Sequence, residues 1–280
     1  MPRKTVSLAR NAVRTALTSL ALLPAAALAA DPWWKRYAPV PDVSKDGYRV
    51  EELFWYTTNL CLFAFSLVVI ALVGFCVVYR SRPGRLRGFY YHGTDKKSLF
   101  VTGSLAALVF LSVDMRLVRG SEKDIKEYFY NWPTSPDTFK VEVMPQQWAW
   151  NIRYAGADEL FNTADDVITL NDMRVPVGRP IFVQLKAKDV IHSFYLPNFR
   201  IKQDANPGHV TKVWFQAKET GTFEIACSQM CGWAHYKMQS SFTVLAAADF
   251  DRWYKEAQGD AARRFDPADK DAFWGWAWEK

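Results

Sequence analysis

The chain has 280 residues, half of them hydrophobic, with twelve tryptophans and a formal net charge of +6. That length allows one or two domains with a sizeable core. The basic residues are dispersed, with local concentrations at the leader and beside an apolar segment, and this excludes a nucleic-acid-binding reading.

Residues 1–30 read as an export signal. A basic start, MPRKTVSLARNAVR, precedes the short apolar run TALTSLALLPAAALA, and Ala27-Leu28-Ala29 offers a small-residue cleavage site. The run falls short of the roughly 20 residues that a spanning helix needs, so cleavage near Ala29 or Ala30 is expected rather than an uncleaved anchor.

Residues 31–125 are expected to form a transmembrane hairpin, with helices at about 53–79 and 98–117. Leu53 to Tyr79 contains no charged residue and can cross a hydrocarbon core about 30 Å thick. Phe54, Trp55 and Tyr56 lie at one end and Tyr79 at the other, as interfacial aromatics do. Cys61 and Cys76 fall inside this run and read as small apolar residues. The second helix rests on SLFVTGSLAALVFLSV, and it reaches spanning length only with Asp114 and Arg116 at an interface or against a partner. The alternative is a buried helix of a soluble protein. Between the runs, Arg80, Arg82, Arg85, Arg87, Lys96 and Lys97 stand against one acid, Asp95, which places this loop in the cytoplasm and both chain ends outside. Arg116, Arg119, Lys123 and Lys126 crowd the outer flank as well.

From about Thr138 the pattern changes. Short alternating or β-branched segments (FKVEVMPQQWAWNIRY, DVITL, RPIFVQLKAK, VTKVWFQAK, GTFEIAC, QSSFTVLA) alternate with turn clusters such as VPVGRP and DANPGH. This spacing predicts a β-sandwich or barrel over 126–246. Residues 247–280 then supply a closing helix, AADFDRWYKEA, and a polar, Trp-rich tail. The stretch GADELFNTADD carries Asp158, Glu159, Asp165 and Asp166 without EF-hand spacing, and reads as a solvated acidic turn.

The stretch CSQMCGWAHYKM gathers Cys227, Cys231, His235 and Met238 in twelve residues of a chain with four cysteines and four histidines. A disulfide is permitted in an exported protein, and two buried small residues are conceivable, but neither accounts for His235 and Met238. Structural zinc has little use for a thioether. Thiolate, imidazole and thioether on the loops of a β-domain point to copper. A mononuclear blue-copper site uses one cysteine; two cysteines can bridge a pair of ions. The second histidine is then His192 of DVIHSFYLPNFR, in an apolar neighbourhood. His92 lies in the cytoplasmic loop, and His209, in the turn DANPGH, is a reserve candidate.

With these residues the sequence resembles the cytochrome c oxidase subunit II family, whose members carry a binuclear CuA centre. The resemblance runs from about Arg49 to Leu245. It is carried by C-x-x-x-C-x-x-x-H-x-x-M at Cys227–Met238, by DVIHSFYLPNFRIKQDANPG, by RVPVG at Arg174–Gly178 and by QQWAW at Gln146–Trp150. It implies a membrane-anchored all-β protein: a two-helix hairpin followed by a cupredoxin-like sandwich on the periplasmic side of a bacterial inner (plasma) membrane. It implies that Cys227 and Cys231 bridge both coppers, that His192 and Met238 complete one, and that His235 and the backbone carbonyl of Gln229 complete the other. Trp148 would receive electrons from cytochrome c, with an ordinary packed strand aromatic as the alternative. Subunits I and III would be the partners in the membrane, and oxygen reduction would take place in subunit I rather than in this chain.

The sequence departs from the family in places. Gln229 stands where a glutamate is usual, so an interfacial magnesium ligand is not carried over. Ser98 stands where a glutamate linked to proton uptake is common, and the second helix lacks the usual Trp and Pro. No C-x-x-C-H is present, so covalent haem is not expected. Competing readings are the copper subunit of a nitric oxide reductase, a quinol oxidase subunit (which would lack these ligands) and a copper-delivery protein. The last would favour exchangeable ligands and has little use for a two-helix anchor. Nitrous oxide reductase would need more chain and more histidines.

Overall fold

The computed structural model describes residues 38–81, 83–84 and 90–264. The export signal read at 1–30, the Trp-rich tail, and Arg82, Arg85 and Arg87 of the basic loop lie outside the described residues.

Helix α1 (Tyr48–Val78) has 31 residues, none buried against the rest of the chain. At about 1.5 Å per residue it is about 46 Å long, more than a hydrocarbon core about 30 Å thick requires. Helix α2 (Lys96–Phe129) has 34 residues. It starts where the Asp95 carboxylate accepts from the backbone N–H groups of Lys97 and Ser98. Two wider π-type turns interrupt it, at Phe110–Asp114 and Ile125–Phe129. Both helices are long and apolar enough to cross a bilayer.

Helix α1 starts before the apolar run at 53–79 and α2 extends past the run at 98–117, where their polar turns meet. Arg49 of α1 pairs with Asp124 of α2 at 3.3 Å, and within α2 Lys126 pairs with Glu122 at 2.5 Å. Arg116, a charge that needed a partner, lies over the Tyr56 ring at 4.5 Å. A side chain on Gly120 would come within 3.2 Å of Leu53 Cδ2, so the two helices approach closely there.

Ten strands then form two five-stranded sheets. One runs β3 (Val167–Leu170), β2 (Ala149–Tyr154), β1 (Phe139–Gln146), β5 (Pro180–Leu185), β8 (Thr211–Gln216). The other runs β4 (Asp172–Pro176), β10 (Gln239–Leu245), β9 (Gly221–Cys227), β6 (His192–Leu196), β7 (Ile201–Ala205). The pairs β1–β5 and β4–β10 are parallel; the others are antiparallel. Period-two alternation puts Ile181, Val183 and Leu185 of β5 inside, and Phe242 and Val244 of β10 opposite them. Phe199 sits at the centre of an aromatic cluster, its ring 5.2 Å from Phe215 and 5.1 Å from Phe242.

Helix α3 (Ala247–Arg264) closes the domain and continues past Ala257, where the sequence reading ends it. Phe250 packs on Phe139 at 5.1 Å and Trp253 on Tyr154 at 5.5 Å. Buried Tyr154 also accepts the Arg174 N–H at 2.7 Å.

The acidic turn differs from expectation. Asp158 and Glu159 are exposed, but Asp166 is buried. The turn folds back over the outer face of β1 and β2. There Arg153 donates to Glu142 at 2.5 and 2.8 Å and lies 3.6 Å from Asp166. Burial pushes the pKa of both carboxyl groups above the usual range despite the guanidinium, because two acids share one cation.

The helices join the sandwich at one end of its strands. The backbone of Val43 bonds Asn198 and Lys218, and Lys45 bonds Gln216, each at 2.9 Å. Arg200 pairs with Glu51, and the Trp214 indole donates to the Tyr128 carbonyl at 2.7 Å. In the β6–β7 hairpin this is the Leu196↔Ile201 end; His192↔Ala205 is the other.

Candidate metal centre

At that other end, His192 opens β6 and Cys227 closes β9, and the two strands pair antiparallel with Phe194 opposite Cys227. The segment 228–238 leaves β9 and returns as β10. Since β9 and β10 pair with each other, its two ends are held side by side: the Cys227 N–H donates to the Met238 carbonyl at 3.1 Å. Ser228 N–H donates to Ser193 O at 3.0 Å and ties the loop to β6. A short helical turn, His235–Lys237, swings His235 back toward the sulfur atoms.

Five of the expected donor groups meet here. Cys227 Sγ lies 3.7 Å from Cys231 Sγ, and 3.9 Å from His192 Nδ1. Cys231 Sγ lies 3.4 Å from His235 Nδ1 and 3.7 Å from Met238 Sδ. The sixth, the Gln229 carbonyl oxygen, is 3.2 Å from Cys227 Sγ. The ligating atoms of His192, Cys227 and Cys231 all lie within 4.8 Å of one another. His192, Cys231 and Met238 are buried, while Cys227 and His235 are half-buried. His209 is exposed in a separate turn, bridged to Asn206, and takes no part in this cluster. His92 is exposed and packs on Tyr90.

The electrostatics favour a cation. Burial resists ionisation of Cys227, but its bonds to His192 and to nearby backbone outweigh that and bring its pKa down to about 6. Burial together with the neighbouring Cys227 sulfur pushes Cys231 up to about 12. The opposite shifts mean that the pair favours one thiolate over two, and a soft cation would displace a remaining proton. Two sulfurs, two imidazoles, a thioether and a carbonyl make a soft donor set suited to copper.

Three supporting residues were not singled out from the sequence. The Asp189 carboxylate accepts a hydrogen bond from the Nε2–H of His192 at 2.8 Å, which favours the tautomer that leaves Nδ1 free as a ligand. It also accepts the backbone N–H of Gln147 at 2.6 Å. Gln147 in turn donates from Nε2 to the Cys231 carbonyl at 2.8 Å, joining the β1–β2 turn to both halves of the site. Gly232 has φ +121°, and a side chain there would lie 2.8 Å from Gln147 Nε2 and 3.3 Å from Trp148 Cζ2. Only glycine suits that backbone and that contact. Trp148, on its exposed side, meets Trp233 edge-on at 6.0 Å. The signal for Asp189 was its place three residues before His192; nothing local marks Gln147.

Several known proteins resemble this chain. The family described as cytochrome C oxidase subunit II, periplasmic domain, matches residues 139–244. The alternative cytochrome c oxidase subunit 2 of Bradyrhizobium diazoefficiens is 31% identical over 252 residues, covering 80% of this chain and 84% of that protein. The chain belongs to the cytochrome c oxidase subunit II family. Its relatives are subunits of a haem–copper oxidase complex. The cytochrome c oxidase subunit 2 of Thermostichus vulcanus is 35% identical over 131 residues, 47% of this chain and 37% of that one. Among solved structures, the periplasmic domain of subunit II of cytochrome oxidase from Bradyrhizobium japonicum is 30% identical, covers 46% of this chain and 99% of its own, and has a TM-score of 0.41.

Proposed function

We propose that this subunit accepts electrons from cytochrome c at a binuclear copper centre and passes them to haem in subunit I of a respiratory oxygen reductase, supporting oxygen reduction and proton pumping. The observation that carries this reading is the pair of cysteine sulfurs 3.7 Å apart, each with its own imidazole nitrogen beside it. Cys227 and Cys231 would bridge the ions, with His192 and Met238 on one side and His235 and the Gln229 carbonyl on the other. Bound there, a copper pair supplies a one-electron redox centre that spreads the change of charge over two metals.

This chain's own residues hold that centre still. The β9–β10 hairpin fixes the loop ends, Asp189 fixes the His192 ring, and Gln147 fixes the Cys231 carbonyl. Ligands that cannot move keep reorganisation on electron transfer small. Trp148 lies against the Gly232 backbone, next to Cys231, and suits a path from an outside donor to a bridging sulfur. In the same reading residues 1–30 are removed on export, 31–125 anchor the chain as a two-pass hairpin in the plasma membrane beside subunits I and III, and 126–246 form the redox domain on the periplasmic side, followed by the closing helix and tail at 247–280.

Rapid mixing of the purified oxidase with reduced cytochrome c tests this. Electrons should reach the copper absorption before any haem is reduced. Haem reduction that precedes or bypasses the copper signal would overturn the assignment.

A further inference from the structure

We infer that the Asp114 carboxylate, on the outer face of helix α2, pairs inside the membrane boundary with an arginine or lysine on a membrane helix of the partner subunit. This rests on the membrane hairpin and the oxidase partner proposed above, and names the side chain through which the two meet.

Direction around the helix singles out Asp114. Arg116 lies over the Tyr56 ring and Gly120 abuts Leu53, so that side of α2 faces α1. At about 100° per residue, Asp114 stands about 200° from Arg116, on the side turned away from α1. The wider π-type turn Phe110–Asp114 ends at this residue and brings Phe110 into line with it. Phe110, Asp114 and Val118 therefore form one exposed stripe, apolar except for the acid at its centre.

Depth makes that charge costly. Tyr56 belongs with Phe54 and Trp55 to the aromatic group that opens the apolar run of α1, and Arg116 is level with it. Asp114 lies two residues, about 3 Å, further toward the Lys96 end of α2, beneath those aromatics. Helical side chains tilt toward the helix N-terminus, so the short aspartate leans into the apolar layer. The long stem of an arginine can reach back out to water; an aspartate has no such stem.

Nothing among the described residues answers the charge. The Asp114 side chain caps no backbone N–H. Helix α1 carries no charged residue from Leu53 to Tyr79. Arg116 is engaged with Tyr56 on the opposite side, and Arg119 stands about 140° round the helix from Asp114. Ionisable groups in spanning segments pair with one another or face a partner, and an unanswered carboxylate selects a cation. A lipid headgroup amine would sit outward of a side chain that leans inward, so the cation belongs to a neighbouring membrane helix.

Dissociation of this subunit from the detergent-solubilised oxidase, held by its catalytic subunit, tests the pairing. Asp114→Asn keeps the shape, removes the charge, and should leave about 30-fold faster than the parent. Asp114→Leu should leave at least as fast, because it strands the partner's cation, although leucine suits a lipid-facing helix better than aspartate does. Asp114→Glu should stay nearly as long as the parent. Each variant should keep the parent's copper content, which separates a lost pairing from a lost fold. Asp114→Asn and Asp114→Leu subunits that stay bound as long as the parent would overturn the inference and assign the carboxylate to water or lipid headgroups. A parent subunit that never co-purifies with a catalytic subunit would instead overturn the oxidase reading, and the inference with it.

Discussion

Two buried polar clusters sit on opposite sheets of the sandwich, and they are built on opposite principles. At Glu142, Arg153 and Asp166, cation and anions come from the chain itself, with one guanidinium set between two carboxyl groups. At His192, Cys227, Cys231, His235 and Met238, the chain assembles electron-rich donors whose bonding partners among the described residues are largely one another, with no lysine or arginine among them. The first cluster is complete without a guest and holds a turn onto a sheet. The second, in the function proposed above, takes a guest cation. Self-compensation marks a structural cluster; an excess of soft donors marks a site.

The comparison can be broken most sharply at the sulfurs. Cys227→Ser or Cys231→Ser should abolish the copper pair and cut cytochrome c oxidation by more than the about 100-fold that loss of a supporting residue can cost, measured on the assembled oxidase. The fold should persist, because the loop ends are held by β9 and β10.

The charge cluster should respond in the other way, losing stability and keeping copper. Arg153→Met leaves two buried carboxyl groups without their cation and should cost about 3–5 kcal/mol near pH 7, read from thermal unfolding of the detergent-solubilised subunit. The pH dependence follows from the two raised pKa values. Their unfolded values are near 4.5 and 3.8, so their protonated forms favour the fold fully below about pH 4, and that contribution is lost as pH rises through the higher folded values. The Arg153→Met penalty should therefore shrink as pH falls toward 4 and grow as pH rises from there. A penalty that is flat with pH would mean that both acids are ionised in the fold throughout.

A smaller effect is expected at Asp189. Asp189→Asn removes the carboxylate that orients His192 and should weaken copper retention about 10–100-fold in a chelator competition, with the fold intact. Retention equal to that of the parent would show that the ring needs no such support.

The two clusters also differ in how far they could be read from the chain. Cys227, Cys231, His235 and Met238 were legible because one short loop carries them, and soft ligands at tight spacing have few other uses. His192 was reachable because few histidines compete. The strands were legible from alternation, as in β5 and β10, where one face is buried and the other is not. The charge cluster was not, since its members come from β1, β2 and a loop, and Asp166 differs from its exposed neighbours only in where the turn folds. The helix ends were hidden for a related reason. Apolarity stops near 117, but helix α2 continues because Arg49, Tyr128 and Asp124 meet across the hairpin. Spacing along a chain reveals what is local; pairing between distant residues appears only in the fold.

Electron paramagnetic resonance of the copper-loaded, oxidised subunit tests the central claim most directly. The account predicts one unpaired electron whose hyperfine structure comes from two equivalent copper nuclei, lost together when either Cys227 or Cys231 is replaced. A spectrum from a single copper, or from two uncoupled coppers, would contradict it.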